Sequence, residues 1–219
     1  MLSENYFGSG FLLICAYLIG SLPNAFLVVY FVTVSSTMEI GKVTGAYSVK
    51  KTIGLIPSIF VFSMDLLKGF LPTIAATYLI PGEVTITLAL ALLLVVGHNW
   101  SIFLNFAGGR GIAIALGTLL GLHLWQETVI LVVLFGLIGK HILYKDSALW
   151  SCLGIALLPV LLLFLDRGLG FTIFGICLGS ILFTKRLLAD EKILDLRYID
   201  WRVLLSRLVW DRDIMSRER

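Results

Sequence analysis

Long apolar runs are the feature that most constrains how this chain can fold. The 219 residues contain seven of them, separated by short polar loops. A helix needs about 20 apolar residues to cross the hydrocarbon core of a bilayer, where the backbone must satisfy its own hydrogen bonds. The sequence therefore predicts an all-α, polytopic membrane protein with about seven transmembrane helices, the fourth of them short. The runs are residues 11–34, 55–80, 84–104, 112–122, 128–144, 149–165 and 169–184.

Composition excludes the main soluble classes. Hydrophobic residues make up 58% of the chain and charged residues only 14%, whereas a soluble domain has about 25% charged residues. A soluble enzyme, a disordered chain and a nucleic-acid-binding module are all excluded, so no nucleic-acid partner is expected. The three cysteines lie in apolar runs and the chain has only three histidines, so we expect neither a metal site nor a cofactor.

The distribution of basic residues predicts the orientation. With seven spans, nearly all of the 17 Lys and Arg residues fall on one side of the membrane. The opposite side receives Glu4, Glu83, Glu127, Asp166 and the single Arg167. Because cytoplasmic loops carry the excess of Lys and Arg, we expect the N-terminus outside and the C-terminus in the cytoplasm.

The end of the chain differs from the rest in composition. Residues 1–185 are predicted to form the transmembrane domain and residues 186–219 a cytoplasmic amphipathic tail. In the tail, Leu194, Tyr198, Trp201 and Leu205 recur at helical spacing among regularly placed arginines. Such a helix either lies on anionic lipid or packs against the helix bundle, and the pattern leaves both interpretations open.

A glycine-rich loop, residues 105–111 with the sequence NFAGGRG, separates the third and fourth runs. Glycine lets the backbone approach an anion closely, and the following helix presents its N-terminal N–H groups. The guanidinium of Arg110 suits phosphate oxygens. The loop is therefore a candidate phosphate site, with an interfacial turn carrying one cytoplasmic arginine as the alternative.

Three ionisable residues lie in or at the end of apolar runs. Asp65 and Lys68 are three residues apart and share one helix face. Since charges within a span are costly, they either pair with each other or hold a substrate or the neighbouring loop. His98 lies near the end of the third run, where it is either structural or able to donate to a phosphate and orient the glycine loop.

Several motifs together resemble those of the bacterial membrane glycerol-3-phosphate acyltransferases that use acyl phosphate, the PlsY type. The resemblance covers residues 10–195 approximately, and its most specific part is the stretch from Gly97 to Gly117. The matching segments are Gly20-Ser21-Leu22-Pro23, Gly45-Ala46, Lys51-x-x-Gly54, Asp65-x-x-Lys68-Gly69, Gly97-His98, Phe103-Leu104-x-Phe106-x-Gly108-Gly109-Arg110-Gly111-x-Ala113, Gly117, Arg186-Leu187-Leu188 and Glu191.

This resemblance implies an enzyme of the bacterial inner membrane that makes lysophosphatidic acid in the first acylation of phospholipid synthesis. Its partners would be acyl phosphate, glycerol 3-phosphate and membrane lipids, with no cofactor; the oligomeric state stays open. The implied catalytic residues are Arg110, His98, Gly108 and Gly109. The implied substrate-binding residues are Ser21, Gly45, Lys51, Asp65, Lys68, Gly111, Arg186 and Glu191.

The chain also departs from the family pattern, which leaves two other functions open. Lys51 replaces an arginine, Arg110 replaces the lysine of the glycine loop, and Ser180 and Phe183 stand where a histidine and an asparagine are expected. In the first loop, Gly41-Lys42-Val43 replaces Ser-Gly-Asn and Ser48 replaces a second asparagine. A diverged paralogue that binds lipid or a partner without turnover is the first alternative. A small transporter that uses Asp65 and Lys68 as coupling charges is the second.

Overall fold

The computed structural model describes residues 2–33, 44–188 and 201–210. Within these ranges every regular element is helical. The chain divides into two compact units, Met1–Leu124 and Trp125–Arg219.

The described residues of the first unit form six α-helices. Three stretches of it are long and apolar enough to cross a membrane: Gly8–Thr33, Leu55–Leu79 and Val84–Leu104. The helices are α1 (Leu2–Ser21), α2 (Asn24–Thr33), α3 (Ala46–Ile53), α4 (Leu55–Leu79), α5 (Val84–Asn99) and α6 (Ile112–Gly121), with a single 3₁₀ turn at Ile102–Leu104.

The second unit supplies three further stretches of that kind, Trp125–Leu143, Ser147–Phe164 and Leu169–Leu188. Its first helix begins as α7 (Trp125–Leu131) and continues in wider π-helical turns over Val132–Leu143. The others are α8 (Ser147–Phe164), α9 (Leu169–Leu188) and α10 (Trp201–Trp210). The sequence-based boundary between residues 185 and 186 falls inside α9, and α10 packs on α8 and α9 with Ser206 and Arg207 buried.

The described part of the chain thus has six helical stretches able to cross a membrane, which confirms the all-α polytopic membrane fold. The fourth apolar run corresponds to α6, which has ten residues. At 1.5 Å per residue such a helix spans about 15 Å, half of a hydrocarbon core of about 30 Å. A seventh span and the orientation of the termini therefore stay predictions.

Close glycine contacts hold the first unit together. Gly20 of α1 lies against the carbonyl of Leu94 in α5, and Gly97 of α5 lies against the carbonyl of Tyr17. Gly69 and Gly117 bring α4 and α6 together in the same way. Without a Cβ in between, the backbones approach closely enough for dispersion contacts to stabilise helix pairs in a bilayer.

Pro23 interrupts the first apolar run and creates the polar centre of the first unit. Proline has no N–H and cannot continue the hydrogen-bond ladder of a helix, so α1 ends at Ser21 and α2 begins at Asn24. The freed carbonyl of Leu22 accepts a hydrogen bond from Lys68 Nζ at 2.8 Å, and that of Ser21 accepts one from Ser101 Oγ at 2.5 Å. The break is therefore satisfied by side chains of α4 and of the segment after α5.

The short helix α3 packs on α2 and α4 through one apolar face. Val49 is buried in a cluster with Ala25, Val29 and Val61. Ser58 Oγ of α4 donates to the carbonyl of Ala46 at 2.7 Å. Lys50 and Lys51 occupy the opposite face and are exposed, so α3 presents its cations away from the apolar cluster.

An ion pair joins two segments of the second unit. Glu127, near the start of α7, is fully buried. Arg167, in the turn between α8 and α9, donates from Nε to Glu127 Oε1 at 2.6 Å and from Nη2 to Glu127 Oε2 at 3.2 Å. Arg167 also reaches Gln126 Oε1 at 2.8 Å, so the buried carboxylate has the paired, hydrogen-bonded partner that burial requires.

Candidate active site

A small open cleft lies at the break between α1 and α2. Its free volume is about 240 Å³, part of it continuous with solvent. The break forms one wall and the end of α5 with the glycine loop forms the other. The lining residues are Ser21, Leu22, Pro23, Asn24, Ala25, Phe26, Thr44, Asp65, His98, Ser101, Leu104, Gly108 and Gly109.

A buried polar cluster forms the floor of this cleft. Asp65, Lys68 and His98 are at most 8% exposed. Lys68 Nζ lies 3.4 Å from Asp65 Oδ1 and 3.3 Å from His98 Nδ1. Asn24 Nδ2 donates to the same carboxylate oxygen of Asp65 at 2.9 Å. Three helices, α2, α4 and α5, thus meet through one charged pair.

The glycine loop folds back onto the end of α5. Ser101 N donates to the carbonyl of Ala107 at 3.1 Å, and Phe106 N donates to the carbonyl of Ser101 at 2.8 Å. The reversal passes through left-handed backbone at Asn105 and Phe106, with φ of 52° and 62°. Gly109 N then donates to the carbonyl of His98 at 3.1 Å, which fixes the loop beside the imidazole.

Gly108 and Gly109 lie where no side chain would fit. A Cβ at Gly108 would collide with the carbonyl oxygens of His98 and Asn99, and one at Gly109 would collide with His98 Nε2. The same position at Gly109 is 2.8 Å from the carbonyl oxygen of Thr44. These two glycines are therefore required by close packing of backbone against α5 and against the start of the α3 segment.

Arg110 and Gly111 lead from the loop into α6. Arg110 is exposed, and Gly111 has a φ of 76° and caps the helix. Because the first N–H groups of a helix have no intrahelical acceptor, the beginning of α6 favours negative charge. A cationic side chain and a helix N-terminus are thus adjacent in sequence to the cleft wall at Gly109.

The structure brings together five of the residues inferred from the motifs, since Ser21, Asp65, His98, Gly108 and Gly109 all line the cleft. Lys68 contacts two of them from within the cluster. Gly45 directly follows the cleft residue Thr44. Lys51 is exposed on α3, where its ammonium lies 4.7 Å from the ring centroid of Tyr47.

The other two inferred residues are Arg186 and Glu191. Arg186 lies in the second unit, where Nη1 donates to the carbonyls of Ala148 at 3.1 Å and Leu208 at 2.9 Å, and Nη2 donates to Ser151 Oγ. It therefore joins α8, α9 and α10. Glu191 and Lys42 lie outside the described residues.

Sequence reasoning missed four participants in the cleft network. They are Asn24, Ser101, Tyr17, whose hydroxyl donates to the carbonyl of Trp100 at 2.8 Å, and the carbonyl oxygen of Leu22. Asn24 carried a usable signal, since it is an amide directly after a proline within an apolar run. The carbonyl of Leu22 carried none, because its partner Lys68 is 46 residues away.

Comparison with known proteins places these features in a family. The family model for glycerol-3-phosphate acyltransferase matches residues 10–193. Glycerol-3-phosphate acyltransferase 2 of Moorella thermoacetica is 35% identical over 167 residues, which are 74% of this chain and 81% of that protein. The glycerol-3-phosphate acyltransferase of Nostoc sp. is 30% identical over 203 residues, covering 84% of this chain and 88% of the relative.

Solved structures agree on the fold. The glycerol 3-phosphate form of PlsY, described as an integral membrane glycerol 3-phosphate acyltransferase, superposes with a TM-score of 0.72 at 23% identity. Its lysophosphatidic acid form gives a TM-score of 0.69. Both matches cover 82% of this chain and 88% of PlsY. The resemblance inferred from the motifs is confirmed at the level of sequence and fold: this chain belongs to the glycerol-3-phosphate acyltransferase family.

Proposed function

We propose that this protein transfers a fatty acyl group from acyl phosphate to glycerol 3-phosphate and so makes lysophosphatidic acid. One observation carries the proposal: the family match over residues 10–193 includes the cleft at the Pro23 break. The acyl carbon exchanges its bond to phosphate oxygen for a bond to the glycerol hydroxyl oxygen. Phosphate leaves, and it takes up the proton of the hydroxyl.

An acyl phosphate is a mixed anhydride with a good leaving group, so the enzyme has little covalent chemistry to perform. Its task is to hold two phosphorylated molecules in line and to stabilise the negative charge that develops in the transition state. A planar cationic group with two parallel N–H donors, placed beside glycine backbone, suits that task. Arg110 provides this group, because a guanidinium donates two parallel hydrogen bonds to phosphate oxygens.

The other cleft residues take supporting roles in this proposal. Gly108 and Gly109 let substrate approach the backbone beside His98. The Gly109 amide already donates to the carbonyl of His98. We therefore assign the hydrogen bond from this wall of the cleft to the substrate to the side chain of His98. Lys51 and Gly45 would bind substrate from the α3 segment, and Gly111 would bind it from the start of α6.

The membrane context fits both substrate classes. We place the protein in the bacterial inner membrane, with the cleft open to the cytoplasm where glycerol 3-phosphate is found. The acyl chain would lie between the apolar helices, and lysophosphatidic acid would leave laterally into lipid. Proline and glycine at the cleft are tolerated at membrane depth because backbone groups there are satisfied by side chains or face a polar cavity.

The direct test supplies purified protein in lipid nanodiscs with labelled glycerol 3-phosphate and one acyl donor at a time. Acyl phosphate, acyl coenzyme A and acyl carrier protein form the three arms, and labelled lysophosphatidic acid is measured. Product with acyl phosphate alone supports the proposal. Product formed only with a thioester donor would support acyl transfer to glycerol 3-phosphate but would overturn acyl phosphate as the donor.

Arg110 variants test the proposed phosphate contact. Arg110→Ala is expected to lower kcat/KM about 100-fold or more, because a charge-assisted contact to the transition state is lost. Arg110→Lys should stay within about tenfold of the parent, since an ammonium still binds phosphate as a point charge. Lys145→Ala, an exposed cation of the second unit, serves as the matched control and should not change turnover.

The same assay separates the alternatives. Bound lipid without turnover in any arm would point to the non-catalytic paralogue. Proton- or sodium-dependent solute uptake into proteoliposomes would point to the transporter. Equal turnover by the parent and by Arg110→Ala would contradict the role of Arg110 while leaving the family activity in place.

A further inference from the structure

We propose that Lys68 is a positioning residue that holds His98 as a neutral imidazole with its proton on Nε2. His98 then acts as a hydrogen-bond donor to substrate oxygen, and it does not act as the base that takes the hydroxyl proton. The catalytic consequence rests on the proposed acyl transfer, whereas the protonation pattern of His98 is a property of the folded protein alone.

The argument begins with the hydrogen atoms of Lys68. An ammonium group has three N–H donors and no acceptor. Three acceptors surround Nζ: the carbonyl oxygen of Leu22 at 2.8 Å, His98 Nδ1 at 3.3 Å and Asp65 Oδ1 at 3.4 Å. Lys68 thus has hydrogen-bond partners at Leu22 and His98 and an ion pair with Asp65, which together satisfy its ammonium in a buried site.

This arrangement decides which nitrogen of His98 carries the proton. Because Lys68 can only donate, the Nδ1 that it contacts must be the lone-pair nitrogen of the ring. The competing arrangement would place a proton on Nδ1 and direct it to Asp65, but that oxygen lies 3.7 Å away, beyond hydrogen-bonding distance. A neutral ring that accepts at Nδ1 carries its proton on Nε2.

The protonated edge of the ring lies beside the glycine loop, which forms one wall of the cleft. His98 lines the cleft together with Gly108 and Gly109, and Nε2 occupies the space that a side chain at Gly109 would take. An Nε2–H in this position can donate to a phosphate or carbonyl oxygen of bound substrate. It cannot accept a proton at the same nitrogen, which agrees with the hydroxyl proton leaving on phosphate.

Two further residues keep Lys68 in place. Asp65 lies one turn before it on α4 and shares its Oδ1 with Asn24 Nδ2 at 2.9 Å. Asn24 begins α2 directly after the Pro23 break, and Leu22, the other anchor of Lys68, lies just before it. The break in the first span is thus coupled to the imidazole of His98 through one lysine.

Nitrogen NMR on the whole protein tests the inference without any turnover. The chain has three histidines, so selective ¹⁵N-histidine labelling gives three imidazoles, and His123→Gln and His141→Gln assign the other two. We expect His98 at neutral pH to show a protonated Nε2 and an unprotonated Nδ1. A proton on Nδ1, or an imidazolium with both nitrogens protonated, would overturn the proposal in the parent protein.

A double variant then tests the role of Lys68. Asp65→Asn/Lys68→Met removes both charges together, which avoids leaving one buried ion unpaired. We expect His98 to lose the single tautomer and show a mixture, and kcat to fall about 10- to 100-fold with a smaller change in KM. Lys50→Met, at an exposed lysine of α3, is the control and should keep the parent spectrum.

The outcomes separate this inference from the proposed function. An unchanged His98 spectrum in the double variant would show that Lys68 does not set the tautomer, whatever the activity. The expected spectrum in a protein without acyl transfer would sustain the positioning role and overturn only the reaction assigned to the cleft.

Discussion

Individual residues in the cleft are constrained by the cost of burying charge. Asp65 and Lys68 lie within a span and are 3% and 8% exposed. They pair with each other, which is the first reading of their spacing, and Lys68 also holds the carbonyl of Leu22; a contact with substrate stays a prediction. Ionisable groups inside a bilayer normally pair or serve a site. Here the pair closes a helix break and contacts His98.

Substitutions that remove one or both charges measure how much the Asp65–Lys68 ion pair stabilises the fold. Lys68→Met alone leaves the Asp65 carboxylate unpaired and is expected to lower the free energy of unfolding by about 3–5 kcal/mol. In Asp65→Asn/Lys68→Met the carbonyl of Leu22 and Nδ1 of His98 both lose the hydrogen bond from Lys68, while Asn24 N still donates to Leu22 at 3.1 Å. No buried charge is left unpaired, and a loss of about 1–3 kcal/mol is expected. Thermal unfolding in detergent micelles compares the two variants. Equal losses would show that the two charges do not stabilise each other.

At the scale of helices, small residues decide which elements lie close together. Gly20 and Gly97 bring α1 against α5, and Gly69 and Gly117 bring α4 against α6. These pairs position the Pro23 break, the cluster on α4 and the glycine loop around one cleft. The geometry of the cleft therefore depends on backbone contacts between helices that are far apart in sequence.

Two glycines of the same helix test this dependence. Gly20→Ala places a Cβ against the backbone of Leu94, which cannot rotate away, and we expect a loss of about 1–3 kcal/mol in stability. Gly10→Ala in α1 meets nothing within 4 Å and should be neutral or stabilising by up to about 1 kcal/mol, since alanine favours helix. Melting temperatures of the two variants provide the comparison. Equal changes in melting temperature for Gly20→Ala and Gly10→Ala would contradict close packing of α1 on α5.

Considered as a whole, the molecule is a set of apolar helices with its polar chemistry gathered in a few places. In the first unit the buried cluster, the glycine loop and Thr44, just before α3, lie around one cleft. In the second unit Arg186 and Arg167 each join separate helical segments. The basic residues that the positive-inside rule assigns to the cytoplasm include those of α3 and of the glycine loop.

Cysteine labelling tests the predicted orientation. In a protein with Cys15, Cys152 and Cys177 replaced by alanine, Glu83→Cys is expected to react with a membrane-impermeant maleimide on intact cells. Lys50→Cys should react only after the cells are permeabilised. Both positions are exposed in the structure, so accessibility depends on the side of the membrane. The reverse labelling pattern would contradict an outward-facing N-terminus.

The amino-acid sequence by itself determined the all-α membrane class of this protein and its family. Apolar runs of about 20 residues have one low-energy arrangement in a bilayer, which is why the spans match the helices within a few residues. The motifs that resemble the family pointed to Ser21, Asp65, His98, Gly108 and Gly109, all of which line the cleft, and their roles in the reaction stay predictions.

Only the tertiary structure decided how these residues meet. The three acceptors around Lys68 come from α4, α5 and the break after α1, and no local pattern records a contact across such separations. Arg186 shows the same limit, since it lies on α9 and donates to α8 and α10, and its local motif does not indicate these partners. A side chain's partner is set by how helices pack, and helix packing is a property of the whole fold.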